Sequence, residues 1–219
     1  MRAGRCVVAL VIFLLLFPAS GLRAQVGFEG SVFAGGAFFM SDLAEELNGL
    51  TRSHENGFAL GARAGARWPR FSLEGELSYV PTNVVVKSND GFEATESQSI
   101  TMFGIAALVN FPLSLQWEAF LAAGAGAKSY TADDPTTKLG SPGQFSAGFE
   151  PTTEVMFNVG GGFRLWIQDN WNVRLDLRDY ISTFDAFALT PQAGNLSQTQ
   201  HDLLFTLGIG WVPGGQPQS

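Results

Sequence analysis

Two histidines stand in the 219-residue chain, each beside a side chain that could make it chemically useful. Ser53-His54 sets a hydroxyl next to an imidazole, and His201-Asp202 sets an imidazole next to a carboxylate. These are pieces of a nucleophile–base–orienter arrangement, as an ester-cleaving or acyl-transferring site would need. The order of residues supplies no further member: there is no His-x-Ser pair and no third group at a recognisable spacing. Both histidines are therefore read as surface groups. Glu45-Glu46 and Asp133-Asp134 are carboxylate pairs with affinity for divalent cations, but the alternating ligands of a calcium loop are missing. They are read as solvated acidic loops. Gly124-Ala125-Gly126 and Gly160-Gly161-Gly162 are not phosphate cradles, because neither opens a helix. The expectation is a protein that is not an enzyme, with no cofactor and no metal centre.

The remaining charged residues are sparse. Lys and Arg number 13 against 20 Asp and Glu, a formal charge of −7, and only 15% of residues are charged. An acidic chain lacks the basic surface that nucleic-acid binding requires. With 46% hydrophobic residues it is not a disordered chain either.

The N-terminus is an address. Arg2 and Arg5 precede an apolar run from Val7 to Phe17, which Pro18 breaks before small residues lead to Ala24. Eleven residues are too few for a membrane helix, and the pattern is that of a signal peptide over residues 1–24. Its removal takes away Arg2, Arg5, Arg23 and the single cysteine, Cys6, so the remaining chain is thiol-free and the charge becomes −10.

From residue 25 to 212 the chain repeats a period-2 alternation, the mark of half-buried strands. In Phe71–Tyr79 every odd residue is apolar or glycine and every even one polar. Segments 58–68 and 171–177 alternate as cleanly, and segments 26–39, 100–111, 115–130, 153–167 and 201–212 follow the same template. Segment 100–111 is apolar on both parities, so its facing is the least defined. Short connections (Pro69-Arg70, 112–114, 168–170) alternate with long polar ones (40–56, 81–99, 131–152, 182–200). An even strand count with short–long alternation predicts an eight-stranded antiparallel up-and-down transmembrane β-barrel. Residues 213–219 are a short tail.

A soluble barrel, apolar inside and polar outside, is the competing arrangement. Three features favour the inverse. Aromatic residues gather at strand ends: Phe28, Trp68, Phe71, Phe111, Trp117, Trp171 and Trp211 beside the short turns or termini, Phe58 and Tyr79 at the other end. Two such girdles mark the two water interfaces of a membrane barrel. The polar parity nearly cancels in charge, with Arg63, Arg67, Lys128, Arg164, Arg174 and Arg178 against Glu29, Glu74, Glu76, Glu118, Glu154, Asp176 and Asp202. Buried charges need such pairing. The opposite parity carries no charge at mid-strand. A two-residue turn at Pro69-Arg70 sets Arg63 opposite Glu76. A three-residue turn at 168–170 sets Arg164 opposite Arg174, unfavourable unless Asp176 or Glu154 intervenes. An eight-stranded interior is filled by side chains, so a diffusion pore is not expected.

The pattern resembles the small eight-stranded outer-membrane barrels of the outer-membrane protein A and X type. The stretches that carry the resemblance are the signal peptide, Phe157-Asn158-Val159-Gly160-Gly161-Gly162-Phe163-Arg164, Arg174-Leu175-Asp176-Leu177-Arg178-Asp179-Tyr180, and the last strand ending at Trp211. The resemblance implies export to the bacterial outer membrane, contact with its lipid and insertion by the barrel-assembly machinery; the reading of the whole chain is a monomeric barrel with a structural or surface-interaction role. The long loops are expected to hold 12 acids (Asp42, Glu45, Glu46, Glu55, Asp90, Glu93, Glu96, Asp133, Asp134, Glu150, Asp179, Asp185) and three bases (Arg52, Lys87, Lys138). Such a surface suits divalent cations or basic partners. An outer-membrane lipid-modifying enzyme centred on His54 or His201, and a soluble periplasmic or secreted barrel, are the alternatives.

Overall fold

The computed structural model describes residues 26–40, 44–47, 50–88, 91, 93–132, 152–185 and 197–213. Residues 1–25, which include the segment expected to be a signal peptide, and the tail from residue 214 lie outside them.

The strands are β1 (Gly27–Phe39), β2 (Ala44–Leu47), β3 (Leu50–His54), β4 (Gly57–Arg67), β5 (Phe71–Ser88), β6 (Glu93–Pro112), β7 (Trp117–Ala132), β8 (Thr152–Gln168), β9 (Trp171–Asp185) and β10 (Ser197–Trp211). All pairings are antiparallel. Around the ring β1, β4, β5, β6, β7, β8, β9 and β10 each pair with two neighbours, and β10 returns to β1. The sheet therefore closes as an eight-stranded barrel, and closure removes its edges. No described helix is long and apolar enough to cross a membrane.

Local chemistry sets the registers. Pro69-Arg70 makes a two-residue connection, closed by Trp68 N–H donating to the Phe71 carbonyl (2.7 Å). Arg63 consequently faces Glu76. The β8–β9 turn sets Arg164 opposite Arg174. At the β6–β7 turn, the Ser114 hydroxyl accepts from Gln116 N–H (3.3 Å) and Trp117 N–H (3.1 Å), and β7 starts at Trp117 rather than at 115.

Two of the long connections are not loops throughout. The connection 40–56 contains β2 and β3, and β3 pairs with the far end of β5. The connection 81–99 is mostly a two-stranded ribbon, paired from Pro81↔Ser99 to Lys87↔Glu93, with Gly91 (φ 84°) at its tip. The reason is local: Val84-Val85-Val86 is a β-branched run that suits a pleated ladder. Likewise β9 runs on to Asp185, so Asp179 is a strand residue and not a loop acid.

Alternation divides the wall as period 2 demands. Val32, Leu60, Leu73, Leu77, Phe103, Ile105, Leu121, Val159, Leu177, Leu207 and Ile209 are exposed on the outer face. The indistinct segment 100–111 turns Ile100, Met102, Ala106, Leu108 and Asn110 inward, with Phe103, Ile105, Val109 and Phe111 outward. The interior is not polar along its whole length. Near the long-connection end, Ala37, Ala59, Val80, Val84, Ile100, Met102, Tyr130, Met156, Tyr180 and Leu204 form an apolar cluster. That is why alternation fades there: both faces are apolar.

Candidate functional site

The described interior is organised in three tiers of charge. The first stands nearest the short turns. Glu118 on β7 accepts from Arg67 of β4 and from Arg164 of β8. Glu29 of β1 lies 3.5 Å from Arg67 Nη1 and 3.2 Å from Arg164 Nη2. Two guanidiniums meet two carboxylates. The Arg67 guanidinium also lies 5.4 Å from the Trp166 ring, an inward tryptophan one residue off the girdle parity.

The middle tier joins Arg63, Arg174 and Arg178 to Glu74, Glu76 and Asp176. Arg174 donates to Glu74 twice (2.6 and 3.1 Å) and to Asp176 Oδ2 (2.6 Å from Nη2). Arg178 donates to Glu74 and, through Nε, to Asp176 Oδ1 (3.0 Å). Arg63 Nε donates to Glu76 (2.6 Å), and the Tyr180 hydroxyl donates to the same carboxylate. Three positive charges face three negative ones.

The like-charged pair Arg164–Arg174 is resolved here. Arg164 turns down to Glu29 and Glu118, and Arg174 turns up to Glu74 and Asp176. Phe120 packs between them, its ring 5.2 Å from the Arg164 guanidinium and 4.3 Å from that of Arg174. Asp176 is one of the intervening groups, but Glu154 is not; Glu118 and Glu29 do the rest. The Phe120 ring reaches over Gly162, where a Cβ would come within 2.8 Å of it and collide with the Leu175 carbonyl.

The third tier is Lys128 with Asp202 and Glu154. Lys128 donates to Asp202 and lies 3.4 Å from Gln200 Oε1, which also accepts from the Tyr130 hydroxyl (2.7 Å). Glu154 is the cross-strand neighbour of Lys128. All thirteen charged residues of the polar parity are buried. Thr206 lies on the inner face as its parity predicts, and Phe33, Phe120, Tyr130, Trp166, Tyr180 and Gln200 share that face without being marked as candidates by the sequence. Their parity was the available signal: Tyr180 continues the row Arg174, Asp176, Arg178.

On the outer face Phe28, Phe71, Phe111, Trp117, Trp171 and Trp211 are exposed beside the short turns, Trp68 is half-buried there, and Phe58 and Tyr79 are exposed toward the other end.

The histidine pairs suggested by sequence do not meet. Ser53 and His54 are consecutive in β3, so they point to opposite faces. His54 is buried: Nε2 lies 2.7 Å from Gln98 Oε1, the Phe39 ring is 4.8 Å away, and the Tyr130 ring stacks at 5.9 Å. It lies beyond Phe58 and Tyr79 toward the long connections, and burial lowers its pKa to about 4. His201 and Asp202 are likewise consecutive, and Asp202 points into the lumen. His201 Nδ1 instead lies 2.8 Å from Asp179 Oδ2 on the outer face. Glu45 and Glu46 lie in β2, and Asp133-Asp134 falls outside the described residues. Among the described residues there is no group of three or more His, Cys, Asp and Glu placed to hold a metal ion.

A family model for the outer membrane protein beta-barrel domain matches residues 9–211. The chain belongs to this family. It is an integral β-barrel of the bacterial outer membrane. Solved structures agree with the fold at low identity. Neisserial surface protein A matches with a TM-score of 0.54 at 13% identity, over 84% of this chain and 96% of that one. The outer membrane protein OprG from Pseudomonas aeruginosa matches at 0.53 and 10% identity, over 88% and 99%. At these identities the likeness is one of fold. No curated protein matches the sequence.

Proposed function

We propose that this outer-membrane barrel is a monomeric, non-conducting, non-enzymatic protein whose working surface is its acidic outer end. The observation that carries the proposal is the near-balance of charge in the lumen: two against two in the first tier, three against three in the second, and Lys128 against Asp202 and Glu154 in the third, six positive charges against seven negative in all. Charges paired at this density across an eight-stranded interior act as a plug, because an ion entering would have to break them without compensation. Purified barrel in planar bilayers is expected to show no unitary conductance; regular open-channel steps would overturn the plug.

The non-enzymatic reading is supported by strand alternation, which parts Ser53 from His54 and Asp202 from His201. An unchanged lipid composition in cells carrying His54→Ala or His201→Ala is the expected result, and altered lipid acylation would refute it. For the surface role, the acids of the long connections would attract divalent cations or basic partners, with outer-membrane lipid and the assembly machinery as its other contacts. Neutralising Glu55, Glu93 and Glu96 together should lower calcium retention on whole cells, and no change would remove this part of the proposal.

A further inference from the structure

Outside the lumen, the wall between β3–β4 and β5 is irregular in one place. The register runs His54↔Val84 on one side and Leu60↔Tyr79 on the other, so five residues, 55–59, face four, 80–83. This is a β-bulge. Pro81 stands in it and has no N–H to give the ladder. A Cβ at Gly57 would lie 2.6 Å from the Pro81 carbonyl oxygen, so only bare backbone permits this approach.

The bulge opens a pocket of about 450 Å³ lined by Phe58 and Tyr79 together with Asn56, Asn83, Ser97 and Gln98. The size lies within the usual range for small-ligand sites, about 300–1,000 Å³. Its polar groups are already held in place. Asn83 Nδ2 donates to Glu55 Oε2 (2.8 Å), and Ser97 Oγ donates to Asn83 Oδ1 (3.3 Å). The Asn56 side-chain Oδ1 accepts from Phe39 N–H (3.2 Å), which leaves its Nδ2 hydrogens to point elsewhere. No lining side chain is charged. Lys87, four residues further along β5 than Asn83, sits 3.7 Å from Glu93, and Glu55 brings a negative charge to the pocket edge.

We propose that this pocket holds the neutral sugar ring of a membrane glycolipid. Amides and hydroxyls that both donate and accept match adjacent sugar hydroxyls, while Phe58 and Tyr79 offer apolar surface to the C–H face of the ring. The uncharged lining and the Glu55 carboxylate disfavour a phosphate. The membrane source follows from position. Phe58 and Tyr79 belong to the lipid-facing girdle, so a ligand seated here keeps its chains in the bilayer and its head against the amides. The site does not depend on the plug: a conducting barrel would leave it unchanged.

The test uses the folded barrel in phosphatidylcholine nanodiscs, with backbone amide shifts of residues 56–58, 79, 80, 82, 83, 97 and 98 read by NMR. A monoglucosyl diacylglycerol should shift them saturably, and diacylglycerol and phosphatidylglycerol should not. Free methyl glucoside should bind at least tenfold more weakly. Asn83→Ala with Ser97→Ala should weaken glycolipid binding tenfold or more, and Tyr79→Leu, which keeps the girdle apolar, should do the same. A heat-modifiable gel band checks that each variant is folded. Equal response to glycolipid and diacylglycerol, equal response to phosphatidylglycerol, or undiminished binding by both folded variants overturns the proposal. Equal binding of free glucoside overturns the membrane source.

Discussion

Glu74→Gln is the sharpest probe of the interior. Glu74 accepts two hydrogen bonds from Arg174 (2.6 and 3.1 Å) and one from Arg178, and it lies 3.9 Å from Arg63 Nε. The substitution keeps the shape and removes the charge. The middle tier is left with Arg63, Arg174 and Arg178 against Glu76 and Asp176, one positive charge in excess. In water, unit charges about 4 Å apart attract by about 1 kcal/mol; at an effective dielectric constant of about 20 the value is about 4 kcal/mol. Removing one partner of a buried pair costs about 3–5 kcal/mol. A sealed lumen therefore predicts a loss of about 3–5 kcal/mol, and a wet channel about 1 kcal/mol or less. Urea unfolding of the barrel in lipid vesicles, followed by tryptophan fluorescence and the heat-dependent gel shift, measures it. The double variant Glu74→Gln/Arg178→Met removes one charge of each sign and should recover at least half of the loss, since the two residues share one network. A single-variant cost below about 1 kcal/mol, or a double variant less stable than the single, would refute the reasoning.

Other perturbations test other parts of the structure. Leu73 is exposed on the outer face opposite Ala107 and Ala66, so Leu73→Arg should cost about 2–4 kcal/mol in the same unfolding assay; a neutral result would reverse the facing of β5. Phe120→Ala should cost about 3–5 kcal/mol, because it opens a cavity between Arg164 and Arg174; a cost near that of a surface substitution would show that the two guanidiniums need no spacer. His54 has its pKa lowered to about 4 by burial, with the Lys128 charge acting in the same direction and the Gln98 hydrogen bond against it. The unfolded chain takes up this proton near pH 6.5 and the folded one does not, so His54's contribution is intact above pH 6.5 and is lost as pH falls toward 4. An NMR titration of its ring with a midpoint near 6.5 would contradict the burial.

Much of the wall was legible because its signals are local. Alternation within Phe71–Tyr79 assigns faces without knowledge of any other strand. The two-residue Pro69-Arg70 connection sets Arg63 against Glu76 by counting alone. The same signals failed where local chemistry was ambiguous. Ile100, Met102, Ala106 and Leu108 point inward, yet their neighbours pointing outward are equally apolar. The ribbon 81–99 reads as a loop by sequence because its polar residues mask the Val84–Val86 run.

The sequence by itself determined the closed antiparallel wall, the lipid-facing side and the near-cancellation of lumen charge. Each follows from period 2, turn length and residue type. Only the tertiary structure decided which charges meet. Glu118 bridges Arg67 and Arg164, and Glu74 joins Arg174 and Arg178 from across the ring. Those partners lie 46 to 104 residues apart in the chain. Their meeting depends on strand tilt and stagger at closure, and no local pattern records either. The His201–Asp179 pair and the bulge at Gly57 belong to the same class, since each arises where one strand's register is set by its neighbour.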